Sequence, residues 1–258
     1  MNKMKTLITL ALFSFFALHM NAQVTRPAVK KPATKTTTST TKKKVTTKTT
    51  KPVAKIPATN KIPGTRVKIT TDSGVMVIRL YDKTPLHRDN FIKLVNQHFF
   101  DSLLFHRVIS NFMIQGGDPQ SKYAQPGAML GNGDVGYTIP AEFDTSLFHK
   151  KGALAAARMG DEVNPAKASS ACQFYIVQGK KCTDADLFNA EMRTGVKLSP
   201  ARREYYKTIG GTPQLDMGYT VFGEVESGLD VIDKIASVQK GMADRPIGDV
   251  HMYIEVIK

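Results

Sequence analysis

The chain has 258 residues with 36 Lys and Arg, 22 Asp and Glu, two Cys and no Trp, for a formal net charge of +14. That charge is confined to one end: 14 of the basic residues fall at or before Arg66 and all 22 acidic residues fall after it, so the sequence from Val67 onward is neutral. The high isoelectric point therefore does not mark a nucleic-acid-binding domain, and two cysteines with no neighbouring His or Cys pair exclude a structural zinc site.

At the N-terminus, Lys3 and Lys5 precede an apolar run from Leu7 to Leu18, broken only by Thr9 and Ser14 and followed by the polar step His19 to Gln23. The run is shorter than the ~20 residues a membrane-spanning helix needs, and the layout is that of a secretory signal peptide over residues 1–22, with cleavage expected after Ala22. A permanent anchor is the weaker alternative. No Cys lies near that site to carry a lipid, so the mature protein is expected to be soluble, exported, and periplasmic or secreted. Residues 23–64 are dominated by Lys, Thr, Pro, Ala and Val, with no aromatic and no acid. Such a segment buries too little apolar surface to offset its ordering entropy, so it is expected to be a disordered linker. A solvated spacer is favoured over adhesion to an anionic envelope surface, the one partner that the basic tail implies.

The folded domain is expected over 65–258. Val67, Ile69, Met76, Ile78 and Leu80 alternate around Thr71-Asp72-Ser73-Gly74, a hairpin signature. Thr84-Pro85 offers an N-cap and a first-turn proline, and Phe91, Leu94, Val95 and His98 follow at helical spacing, predicting a helix over 85–98. Strand-like runs follow at 104–108, 112–115, 152–156, 173–177, 220–225 and 252–257, with a second helix over 228–237. Many short strands with turn-rich loops and two helices predict a mainly β fold closed into a barrel. Residues 179–213 break this pattern: Thr183 is placed to cap one short helix and Ser199-Pro200 to start another, so a helical insertion is expected, more as a capping appendage than as a partner surface. Cys172 and Cys182, ten residues apart, neither demand nor forbid a bridge.

Gly131, Gly133 and Gly136 match the G-x-G-x-x-G dinucleotide fingerprint, but Tyr137-Thr138-Ile139-Pro140 cannot open the helix that the fingerprint requires, so no dinucleotide site is read there. The run from Phe105 to Asp118 is more informative. Strand alternation places Arg107 and Ile109, and then Met113 and Gln115, on one face, with Phe112 at the loop end able to join them. An arginine among apolar neighbours is more often an ion-paired structural residue, so this run alone does not decide a function.

Phe105-His106-Arg107 and Phe112-Met113-Ile114-Gln115-Gly116-Gly117-Asp118 resemble the signature block of cyclophilin-type peptidyl-prolyl cis-trans isomerases. Gly152 to Arg158, Gln173-Phe174-Tyr175-Ile176, Leu215-Asp216 and Tyr219 to Val225 resemble later blocks of that family in the same order. The resemblance implies a closed eight-stranded antiparallel barrel capped by two α-helices, here with the insertion and the tail. It implies a cofactor-free enzyme in which Arg107 is catalytic and donates toward the prolyl nitrogen. It further implies a proline pocket of Phe112, Met113, Tyr175 and Leu215, with Gln115, Ala157, Arg158, Gln173 and Tyr219 completing the substrate site. Proline-containing polypeptides are the expected partners and a monomer the expected state.

Three positions depart from the family pattern. Tyr175 stands where many members have Phe, Gln214 where many have Trp, and Tyr219 where many have His. The added Tyr175 hydroxyl must find a partner, and the missing indole implies weak cyclosporin binding. These departures keep a second function open beside the isomerase: a catalytically weak module that binds proline-containing segments as chaperone or adaptor.

Overall fold

A computed structural model of the chain describes residues 64–257. The expected signal peptide and all of the expected linker except Gly64 lie outside the described residues. The thiols of Cys172 and Cys182 are free and buried.

The domain opens with β1 (Arg66–Thr71) and β2 (Gly74–Leu80), which pair antiparallel with Thr71 opposite Gly74. In both strands alternate residues are buried, Val67 and Ile69 facing Ile78 and Met76 across the ladder. Helix α1 (Pro85–Asn96) follows and turns Phe91, Leu94 and Val95 into the core. The cap differs from the sequence expectation, because Thr84 makes no side-chain cap hydrogen bond. Instead the first free N–H groups, of Leu86 and His87, donate to Glu142 at 3.0 and 2.9 Å. A carboxylate from a distant loop meets the orphan donors and the positive helix end together.

The run expected as one strand over 104–108 is two. β3 (Leu103–Leu104) and β4 (Arg107–Ile109) lie at opposite ends of one sheet. β5 (Met113–Gly116) follows, then the two-residue β6 (Thr138–Ile139), β7 (Ala153–Ala156), the two-residue β8 (Ser169–Ser170) and β9 (Phe174–Val177). After the insertion come β10 (Val221–Ser227), α4 (Leu229–Ala236) and β11 (His251–Ile257). The strand order is β3-β11-β1-β2-β10-β7-β9-β5-β4, with β6 and β8 forming a separate pair. The expected eight-stranded closed barrel is thus corrected to a curled nine-stranded sheet. Its end strands are joined by only Phe105 and His106, yet no ladder connects β3 to β4. Phe91, Phe100, Phe105, Phe174 and Phe222 fill the concave side, with Phe174 meeting Phe91, Phe100 and Phe105 edge-on. α1 and α4 cover that core, α4 through Val231, Ile232, Ile235 and Ala236.

The insertion carries α2 (Asp184–Thr194) and α3 (Pro200–Thr208), so the described residues hold four α-helices. Thr183 and Asp186 form a reciprocal capping box on α2, and Ser199 caps α3 through the Arg202 N–H, as the sequence predicts. Cys182, Leu187, Leu198 and Tyr206 make a small core of their own, with Phe148 packed against it. The insertion leaves and rejoins the domain where Gly179 and Gly211 pass in backbone contact. A Cβ on Gly179, whose φ is +65°, would fall 2.4 Å from the Gly211 Cα, and one on Gly211 would fall 2.3 Å from the His149 carbonyl oxygen. Gly211→Ala is therefore expected to cost about 1–3 kcal/mol of unfolding free energy. The measurement is the urea midpoint, which should fall at unchanged slope; an unchanged midpoint would show that Gly211 does not approach the His149 carbonyl this closely.

Candidate active site

Four adjacent strands, β4, β5, β9 and β7, build the site through their register. Val108, Ile114, Ile176 and Leu154 pair across the ladders, and all four belong to the core. The neighbouring row, Arg107, Gln115, Tyr175 and Ala155, points to the convex face. There Met113, Ala155, Tyr175, Val177 and Val221 form a second apolar cluster against which Phe112, Ala157, Leu215 and Tyr219 pack. Of the residues expected to form the substrate site, the structure brings Phe112, Met113, Tyr175, Leu215, Ala157 and Tyr219 into this one cluster.

The polar residues line one edge of it. Half-buried Arg107 donates to the Gln115 Oε1 at 3.2 Å, and the Gln115 Nε2 donates to the Gln173 Oε1 at 3.1 Å. The Gln173 Nε2 in turn donates to the Gly131 and Gly133 carbonyls at 2.9 and 2.8 Å. The glycine run that mimics a dinucleotide fingerprint therefore serves as a rim of backbone acceptors. The chain of amides fixes the orientation of Gln115 and Gln173, because each amide oxygen accepts from one neighbour while its nitrogen donates to the next. Arg107 has no carboxylate partner among the described residues. A structural arginine in an apolar setting is normally ion-paired, whereas this one is steadied by a single neutral amide oxygen. Of its five N–H donors, several stay available to a bound molecule.

Arg158 is held differently. Its Nε donates to the Gly218 carbonyl at 2.7 Å, its NH1 lies 2.6 Å from Asp161, and its guanidinium sits 4.5 Å from the centre of the Tyr219 ring. The Arg158 head group is thus spent on shaping the wall that Tyr219 belongs to. Beyond Gln115 and Gln173, a groove of about 730 Å³ is lined by Gly133, Ala157, Arg158 and Asn164, a volume within the range of ligand-binding clefts.

A family model described as cyclophilin type peptidyl-prolyl cis-trans isomerase/CLD matches residues 66–256. The chain belongs to the cyclophilin family. A "Putative peptidyl-prolyl cis-trans isomerase" of Staphylococcus saprophyticus is 32% identical over 201 residues, covering 76% of this chain and 95% of that protein. A "Putative bifunctional phosphatase/peptidyl-prolyl cis-trans isomerase" of Streptococcus pyogenes is 36% identical over 190 residues, covering 72% of this chain and only 37% of its own length. Among solved structures, a cyclophilin of Cryptosporidium parvum superposes with a TM-score of 0.56 at 21% identity, covering 76% of this chain and 99% of its own. A second crystal structure of that protein, obtained in the presence of the dipeptide Ala-Pro, superposes with a TM-score of 0.53 at 20% identity. At that identity the likeness is one of fold.

The hydroxyl that distinguishes Tyr175 from the phenylalanine of many cyclophilins has a partner, the Nε2 of buried His149 at 2.9 Å. The His149 Nδ1 lies 3.0 Å from Asp216, whose other oxygen accepts from Tyr206 at 2.8 Å. His149 and Tyr206 escape a reading of the sequence, since neither sits in a block that carries the family resemblance. The one available signal is the Tyr175 hydroxyl itself, which requires a buried partner somewhere.

His106, beside Arg107 in the chain, is buried, and burial pushes its imidazole down to about 4 against the opposing pull of Asp118. An unfolded histidine titrates near 6.5, so between these values the unfolded chain binds the extra proton and the folded one does not. Stability from this residue is complete above about pH 6.5 and falls as the pH drops toward 4, by up to ~1.4 kcal/mol per unit. Urea titrations at pH 7.5 and 4.5 should therefore show a smaller acid loss for His106→Gln than for the wild type. Equal losses in the two proteins would refute the buried neutral state.

Proposed function

We propose that the chain catalyses cis–trans isomerisation of Xaa-Pro peptide bonds in exported proteins, with Arg107 as the catalytic residue. The observation that carries this reading is a cation with no carboxylate partner among the described residues, held by the Gln115 amide at the edge of a buried apolar cluster whose rim, Phe112, Ala157, Leu215 and Tyr219, is partly exposed. Family membership supports the reaction, and a similar cyclophilin crystallised with Ala-Pro supports a proline-containing substrate. Export rests on the signal-peptide layout of residues 1–22.

The physical problem is a barrier of ~18–20 kcal/mol, which arises because the nitrogen lone pair is delocalised into the carbonyl. Twisting the bond localises that lone pair on a pyramidal nitrogen. A guanidinium N–H directed at the nitrogen stabilises the twisted form and has little to offer the planar one, so it lowers the barrier instead of merely tightening binding. An electrostatic contribution of about 5–6 kcal/mol would bring a spontaneous step of tens of seconds to milliseconds. Phe112, Met113, Tyr175, Leu215 and Tyr219 supply the apolar socket for the ring. Gln115, Gln173 and the backbone at Ala157 and Arg158 border the groove for the flanking chain. Anchoring the ring leaves the acyl side free to rotate about it.

An NMR exchange assay on the full-length chain with an Ala-Pro peptide is expected to show exchange faster than the uncatalysed rate. Arg107→Ala should lower kcat/KM at least about tenfold while peptide affinity changes far less. Unchanged turnover in Arg107→Ala would remove the mechanism. Peptide binding without any catalysed exchange in the wild type would identify a binding module instead.

A further inference from the structure

We propose that the helical insertion is a positioning element of the proline pocket: Tyr206, acting through Asp216 and His149, holds the Tyr175 ring in the pocket wall. The inference rests on the isomerase reading of the site. Tyr206 is completely buried at the heart of the insertion's core, and Tyr175 is a wall of the outer-face cluster. Between them run three side-chain hydrogen bonds of 2.8, 3.0 and 2.9 Å through residues that are themselves buried.

Elementary chemistry sets the direction of both bonds to the carboxylate, and the histidine tautomer sets the third. The Asp216 carboxylate accepts only, so Tyr206 donates to its Oδ2 and the His149 Nδ1–H donates to its Oδ1. In the tautomer that carries its one proton on Nδ1, Nε2 accepts and the Tyr175 hydroxyl is the donor. Burial holds both phenols well above their ordinary range, so both keep their protons. The His149 backbone N–H adds a further bond to Asp216 at 2.9 Å, and Arg202 of α3 approaches the same carboxylate at 3.7 Å. The imidazole also lies nearly parallel to the Tyr175 ring, at 14°.

A buried charged network adds little net stability over apolar packing of the same volume. What it does supply is direction, because each hydrogen bond fixes an angle as well as a distance. Asp216 directly follows Leu215 in the chain, so two walls of the proline pocket are referred to one carboxylate. Tyr206 comes from the inserted helices, and through it the insertion reaches the pocket without touching the substrate.

The test is a double-mutant cycle in the full-length chain, using Tyr206→Phe, Tyr175→Phe and the pair. Affinity for an Ala-Pro peptide is read by NMR titration, turnover by exchange and stability by thermal melting. Tyr206→Phe is expected to weaken peptide binding roughly threefold to tenfold and to shift the ring signals of Tyr175. In the Tyr175→Phe background the same change should alter affinity less than about 1.5-fold, while its effect on Tm persists. A Tyr206→Phe variant that melts earlier but binds and turns over as the wild type overturns the proposal, and so does an equal loss of affinity in both backgrounds. If Tyr206→Phe does not fold, Arg202→Gln, which removes the cation 3.7 Å from the same carboxylate, takes its place in the cycle. A wild type that binds the peptide without turning it over refutes the isomerase reading alone, and the affinity cycle still decides the positioning role.

Discussion

The register of β5 against its neighbours is the constraint on which both the core and the site depend. Gln115 stands opposite Arg107 on one side and Tyr175 on the other, while Ile114 stands opposite Val108 and Ile176. Side chains alternate across a strand with a period of two, so a slip of one residue in β4 would carry the arginine into the phenylalanine core, and one in β5 would carry the isoleucine onto the groove face. Burying the arginine without a carboxylate would cost several kcal/mol, and exposing the apolar row would forfeit about 1.5–3 kcal/mol for each large side chain. The hydrophobic pattern that stabilises the sheet is the same pattern that presents Arg107, Gln115 and Tyr175 together.

Local features of this fold were legible in the sequence, and those decided by remote partners were not. The β1–β2 hairpin, the helices over 85–96 and 229–236 and the caps at Thr183 and Ser199 depend on residues a few positions apart, and the sequence carries them directly. The break between β3 and β4 does not announce itself, because Leu104 to Val108 reads as one strand-like run. It divides because Leu103 and Leu104 pair with Met252 and His251, while Arg107 to Ile109 pair with β5. Glu142 caps α1 from 55 residues away, and no local pattern marks it. The missing ladder between β3 and β4 is likewise a property of how far the sheet curls.

The site followed the same division. Arg107, Phe112, Met113 and Gln115 lie within nine residues; strand alternation places Arg107, Met113 and Gln115 on one face, and Phe112 can join them from the loop end. Tyr175, Leu215 and Tyr219 join them only through the resemblance to cyclophilins, and the structure then packs them into one cluster. His149 remained hidden because its two bonds reach residues 26 and 67 positions away. The departure at Tyr175 nevertheless carried the information that such a residue must exist, since a buried phenol without an acceptor would cost roughly 1–3 kcal/mol. A polar atom where an apolar one would suffice is thus a pointer to an unseen partner, here one that leads out of the curled sheet and into the insertion.

That path bears on how a helical insertion persists inside a β domain. Gly179 and Gly211 bring its two ends into backbone contact, so the sheet could close over the gap with almost no change in the course of β9. Topologically the insertion is optional, yet its small core is organised around Tyr206, whose hydroxyl is turned toward Asp216 and the sheet instead of toward solvent. An appendage that merely covered surface would meet the sheet through apolar contacts, as Phe148 meets Tyr205 and Tyr206. The added cost of burying a carboxylate, an imidazole and two phenols is offset only if all of them stay bonded together. Pocket and insertion are therefore linked cooperatively: the bonds that complete the Tyr206 end also orient Tyr175, and a pocket wall fixed in this way depends on helices that lie outside the sheet.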